Sequence, residues 1–182
     1  MPNSKFQIPN SSHGFSLLEL IIYLALFSGF VLGLVYFTLS INNSRSKTYV
    51  AQEVHANARI ALDIISQRIR SSTGIDAGPP PSVFGSHPGR ITLDFSGIDS
   101  TKDPTVIDLD ANGVLQIKEG LANAVALTSD KVRVTSLIFT NVTATSTREN
   151  IRINMTLEYN NTSGDPTFSY IKAFTTAVSV RQ

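Results

Sequence analysis

Two groups of residues in this 182-residue chain have types and spacings that could do chemistry. The first stands at the head of an apolar run: Leu20 to Leu39 contains no charged residue, and Glu19 directly precedes it. A carboxylate on a membrane helix costs on the order of 2.5–3.5 kcal/mol on insertion scales, so an acid kept there needs a partner or a role. The nearby sequence supplies no cation. If the chain were cut between Gly14 and Phe15, however, a positive α-amine would arise four residues before Glu19. That amine could pair with the acid of a neighbouring helix and so favour side-by-side assembly.

The second group is Asp108, Asp110, Asn112 and Glu119, which satisfies the spacing of an EF-hand calcium loop. An EF-hand needs a helix on each side, whereas Pro104-Thr105-Val106-Ile107 and Val114-Leu115-Gln116-Ile117 favour strands. Asn112-Gly113 is also among the strongest short hairpin signals. A β-hairpin turning at Asn112-Gly113 is therefore expected, with a looser calcium site at the same turn as the alternative. No other cofactor is expected. His13, His55 and His87 are isolated, with no metal-ligand spacing between them, and no serine sits in a nucleophile elbow. Each histidine is expected to be solvated, His55 on the polar flank of a helix, and the chain does not read as an enzyme.

The elements that must hold these residues follow from periodicity. About 20 apolar residues suffice for a helix to cross a hydrocarbon core of roughly 30 Å. An ordinary cleaved signal peptide has a core of roughly 7–15 residues followed by a small-residue site, and Thr38-Leu39-Ser40-Ile41 offers none. Beyond Ile41 the pattern becomes one-sided. At 100° per residue, Val50, Val54, Ala58, Ala61, Leu62, Ile65 and Ile69 share a stripe about 120° wide, opposite Gln52, Arg59, Asp63 and Arg70. Arg59 and Asp63, four apart, read as a surface pair. Gly74 is a plausible stop, and Gly78-Pro79-Pro80-Pro81 makes further helix impossible. One continuous helix from Phe15 to Ser72, roughly 85 Å long, is expected. Its first half is an anchor, its second half a spine, and Asn42-Asn43-Ser44 its weakest point.

The rest reads as β. Arg90 to Phe95, Val106 to Leu109, Val114 to Lys118, Val132 to Thr140, Ile151 to Tyr159 and Tyr170 to Val180 are rich in β-branched and aromatic residues. They are separated by Gly, Asn, Asp or Ser clusters, and an antiparallel sheet is the natural product. Ile151 to Tyr159 alternates, and its apolar face should pack on the Val50–Ile69 stripe. Asn160 to Pro166 should be a hairpin loop, and Gly74 to Pro88 an irregular connection. About 110 residues beyond the helix suffice for one modest domain. A net charge of +1 gives no support to nucleic-acid binding, and the absence of cysteine removes disulfides.

Gly14, then Phe15-Ser16-Leu17-Leu18-Glu19, then the long apolar helix, resembles the class III signal sequence of type IV pilins and of the pseudopilins of type II secretion. The resemblance implies cleavage after Gly14 by a prepilin peptidase, N-methylation of Phe15, and a role for Glu19 in packing the helix into a filament. Tyr49 to Arg70, with its Asn57-Ala58-Arg59-Ile60-Ala61-Leu62 run, is similar to the spine of J-type minor pseudopilins and W-type minor pilins. The implied fold is α+β and pilin-like: a leader at 1–14, a transmembrane helix at 15–41, an amphipathic helix at 42–73 and a β-rich domain at 74–182. The implied setting is the inner membrane, single-pass, with the C-terminal domain outside the cytoplasm. Implied partners are other minor and major pilins or pseudopilins, the prepilin peptidase, the inner-membrane assembly platform and the membrane. Two features depart from the family: a leader poor in charge, and a membrane helix without proline, in which Gly29 and Gly33 are the only breakers. A membrane-anchored binding module, serving adhesion or DNA uptake, is the alternative.

Overall fold

The computed structural model describes residues 14, 16–75, 78–143 and 149–180. One helix, α1 (Leu17–Ser71), comes first and runs through Asn42-Asn43-Ser44 without interruption. The chain divides into two compact units between Asn43 and Ser44.

In the second unit, α1 is apolar on one side only. Val50, Val54, Ala58, Ala61, Ile65 and Ile69 recur every three or four residues and are completely buried. The helix ends where Ser72 N donates to Arg68 O at 3.0 Å and the Ser72 hydroxyl to Ile69 O at 2.9 Å. Thr73 N then donates to Asp94 O at 2.9 Å, which passes the chain into a sheet.

Among the described residues eight strands follow: β1 (Gly74–Ile75), β2 (Ile91–Asp94), β3 (Thr105–Leu109), β4 (Leu115–Glu119), β5 (Val125–Ala126), β6 (Val132–Asn141), β7 (Asn150–Tyr159) and β8 (Ile171–Ser179). They form two antiparallel sheets rather than one, in the orders β1-β2-β3-β4-β5 and β6-β7-β8. The expected strands all form. The connection from Gly74 to Pro88 is more ordered than its prolines suggest, because Gly74 and Ile75 pair with Asp94 and Leu93, and Val83 and Phe84 bridge to Arg90 and Phe139. Both sheets contribute to one core with α1: Ile91, Leu93, Ile107 and Leu115 from the first, and Phe139, Ile151, Ile153, Met155 and Leu157 from the second. The alternating face of β7 therefore packs with the Val54–Ile69 stripe, as its period requires. The architecture is α+β with a long N-terminal helix, consistent with a pilin-like fold.

Asn57 pins the helix to the sheet. Its Nδ2 donates to Glu53 O at 2.9 Å, and its Oδ1 accepts from Ser129 N at 2.8 Å. Nearer the start of this unit, the Lys131 ammonium donates to Tyr49 Oη at 2.9 Å, and that bond, aided by the charge of Glu53, raises the lysine pKa. Tyr49 meets Tyr159 edge-on at 6.5 Å, and Tyr159 stacks with Phe168 at 6.4 Å.

Candidate functional site

From Leu20 to Leu39 every residue of α1 is exposed, and nothing within its own unit covers it. This is one helix near the N-terminus long and apolar enough to cross a membrane. Its few polar side chains turn back on the helix: Ser28 Oγ donates to Ala25 O, and Thr38 Oγ1 to Leu34 O, each at 2.9 Å. Hydrocarbon offers no other partner for such groups, so this return is what a lipid-facing helix needs. Gly29 and Gly33 have no heavy atom within 4 Å of where a Cβ would stand.

Glu19 lies in the first turn of α1, half-buried, and its Oε1 accepts from Tyr23 Oη at 2.9 Å. Two ordinary effects act on it. The positive end of the helix dipole favours an acid there by about 0.3–1 kcal/mol. A hydrogen bond to a charged group contributes about 1.5–3 kcal/mol. Together they approach the cost that an acid would meet on insertion into lipid. They do not neutralise it: among the described residues Glu19 has no ion pair. Gly14 is exposed, with open space where a side chain would begin. Phe15, the expected methylation site, lies outside the described residues, as do residues 1–13 of the expected leader.

The second group of residues is drawn apart. Asp108 sits on β3, where its Oδ2 meets Arg90 Nε at 3.3 Å and its Oδ1 accepts from Gln116 Nε2 at 2.9 Å. Asp110 shapes the turn, its Oδ1 accepting from Asn112 N at 2.8 Å and Val114 N at 2.7 Å. Glu119 stands opposite Thr105, three ladder pairs from Asp108, or about 10 Å at strand spacing. Its Oε1 lies 2.7 Å from Arg68 Nη2 on α1. Among the described residues no group of three or more His, Asp or Glu side chains could hold a metal ion. The flanking segments are strands, as their β-branched residues dictate, and a strand ladder separates what an EF-hand loop would gather.

The hairpin itself turns differently from the expected two-residue Asn112-Gly113 turn. Gly113 N donates to Asp110 O at 3.1 Å, and only Gly113 has positive φ (78°), so Ala111-Asn112-Gly113 form a three-residue loop closed by a left-handed glycine. Gly113 O then accepts from Val134 N at 2.9 Å, which docks the hairpin tip on β6.

His55 and His87 are exposed, as expected, but each also makes a specific contact; His13 lies outside the described residues. His55 is exposed, yet its Nε2 is 3.1 Å from Tyr170 Oη and its ring meets Phe174 edge-on at 5.3 Å. His87 Nδ1 accepts from Leu137 N at 3.1 Å. Both depend on side chains or backbone far along the sequence, which composition does not reveal. Arg59 and Asp63 form no ion pair with one another; instead both line a groove beside β8. Comparison with protein-family models, with curated proteins and with solved structures finds no match.

Proposed function

We propose that this chain is a minor pilin or pseudopilin: a membrane-stored subunit cut after Gly14, methylated at Phe15 and drawn with other such subunits into a short filament, at or near its tip. The reading is supported by one observation above the others. A helix apolar on every side carries a single acid in its first turn, held by a tyrosine but, among the described residues, by no cation. Removal of the leader would place a positive amine four residues before that acid, and on an adjoining subunit it would supply the missing charge. The work is then architectural. The anchor is held in the inner membrane, the β-rich unit lies outside the cytoplasm, and the assembly platform moves the subunit from one to the other.

The test is co-expression of the full chain with a prepilin peptidase, followed by intact-mass measurement. The expected product begins at methylated Phe15, and Gly14→Val leaves the chain at full length. Identical processing of the two would end the proposal. Glu19→Val should still be cut and inserted, yet fail to enter filaments.

A further inference from the structure

The sheet β6-β7-β8 has two edges, and the chain treats them differently. The outer edge of β6 is occupied. Leu137 O accepts from Gly89 N and Phe139 O from Gly85 N, each at 2.8 Å, while Val134 N donates to Gly113 O and Leu137 N to His87 Nδ1. A register shift between Val134 and Ser136 interrupts it further.

The edge of β8 has none of this. Tyr159 N donates to Tyr170 O and Val180 N to Glu149 O, both at 2.9 Å, which fixes the phase of the ladder. By alternation, Ile171, Ala173, Thr175, Ala177 and Ser179 turn their N–H and C=O groups away from β7. Among the described residues no strand pairs with that side. Over nine residues β8 contains no proline, no register shift and one charge, Lys172. Proteins ordinarily blunt a free edge with such devices, because a bare one is a template for another chain.

The ground beside this edge selects what would come. A groove runs between β8, at Phe174, Thr175 and Thr176, and the polar face of α1, at Arg59, Asp63 and Arg70. Arg59 and Arg70 are eleven residues apart, which at 100° per residue returns the helix to within about 20°, so both face the groove. Neither arginine, nor Lys172, forms an ion pair among the described residues. Within the groove two unpaired arginines stand against one acid, Asp63, which makes it complementary to carboxylates. On the other face of the sheet, Ala173, Thr175 and Ala177 are small and exposed, which leaves room for large neighbours.

We infer that the free edge of β8 is a docking edge for an extended acidic segment of another protein, which adds to the sheet as a fourth strand. Backbone hydrogen bonds to residues 171–179 hold it, and its alternate side chains, being acidic, face Arg59 and Arg70. Such a segment would dock whether or not the chain enters a filament.

The full chain in detergent micelles, screened against a displayed library of random ten-residue peptides, tests this. Selected peptides should carry Asp or Glu at alternate positions. A synthetic copy of one should slow hydrogen exchange at Ala173, Thr175 and Ala177 and leave β6 unchanged. The double reversal Arg59→Glu with Arg70→Glu, on an exposed helix face, should weaken binding at least ~10-fold. Thr175→Pro removes one outward N–H and spares the bonds to β7, so it should weaken binding too. Recovery of no binder, peptides without an acidic excess, or binding indifferent to both changes overturns the inference. So does slow exchange of the outward β8 amides without peptide that grows with protein concentration, since a second copy would then fill the edge.

Discussion

Leu20–Leu39 and Val50–Ile69 are stretches of equal length in the same helix, and they solve the burial problem in opposite ways. The second places its apolar residues on one stripe and buries six of them completely beneath two sheets. The first has apolar residues on every side and leaves all of them exposed, Leu24 at 64% and Leu32 at 70%. Burying a large apolar side chain is worth roughly 1.5–3 kcal/mol, so a surface of this extent is not left to water. The spine therefore has its partner within its own unit, whereas Leu20–Leu39 has none in its unit and is long and apolar enough to cross a membrane.

The largest expected effect comes from separating the two. A fragment beginning at Ser44 should leave the membrane fraction entirely and keep the melting temperature of the β-rich unit to within a few degrees. Sedimentation and thermal melting measure both. An insoluble fragment, or one melting far lower, would show that the anchor supports the domain as well as holding it.

A second comparison uses single truncations. Ile65→Ala opens a cavity in the shared core and should cost about 2–5 kcal/mol in urea unfolding of the domain. Leu24→Ala, which removes as many atoms from the anchor, should leave that unfolding curve where it was. A measurable shift from Leu24→Ala would break the contrast.

Asn57 sharpens it further, because it is, with Ser66, one of two buried polar residues on this stretch of the helix. Asn57→Ala leaves Ser129 N–H without its acceptor and should cost about 1–3 kcal/mol. Asn57→Asp keeps the acceptor for Ser129 N–H but turns its second oxygen on Glu53 O and Oε1. Its cost should therefore fall between pH 7 and pH 4 as the new carboxyl takes up a proton, while that of Asn57→Ala does not. Parallel costs at the two pH values would mean that packing rather than the hydrogen bonds holds the helix to the loop.

Sequence periodicity carries the face that each element buries, and for that reason α1, the stripe from Val50 to Ile69 and the alternation of β7 were legible residue by residue. It does not carry which strands share a sheet. The split into two sheets depends on where β6 turns away from β5, a long-range outcome with no local signal. Strand β5 was illegible for a simpler reason: Val125 and Ala126 are both exposed, so neither alternation nor burial marks them. Glu19 stood out because an acid beside an apolar run is anomalous by composition alone, whereas Gly14 and Phe15 were marked by the resemblance to a known signal sequence. The spacing of Asp108, Asp110, Asn112 and Glu119 was equally visible, but spacing in sequence becomes proximity only through the backbone conformation, and an extended ladder sends Glu119 to Arg68. The groove at β8 could not be read at all, since Arg59 and Arg70 acquire meaning only beside a strand a hundred residues later.

The smallest expected effect concerns acid, where the two regions differ again. Glu19 has no cation among the described residues, whereas the carboxylate of Asp99 in the domain has Lys102 Nζ at 2.6 Å. That lysine first, then the Thr101 hydroxyl and amide, holds the Asp99 pKa down to about 2 from an ordinary 3.8. Because the folded value lies below the unfolded one, the contribution is complete above about pH 4 and fades as pH falls toward 2. Solvent reaches both partners, so screening keeps the effect small and salt should shrink it further. Asp94 and Asp165 are also lowered, by bonds from Ser96 and Thr167, so part of the slope should survive loss of Asp99. On the Ser44–Gln182 fragment, urea midpoints at pH 5 and pH 2.5 should differ less for Asp99→Asn than for the natural sequence, and 1 M salt should narrow the gap. Equal differences in the two proteins would mean that the Lys102 pair survives in the unfolded chain or contributes nothing.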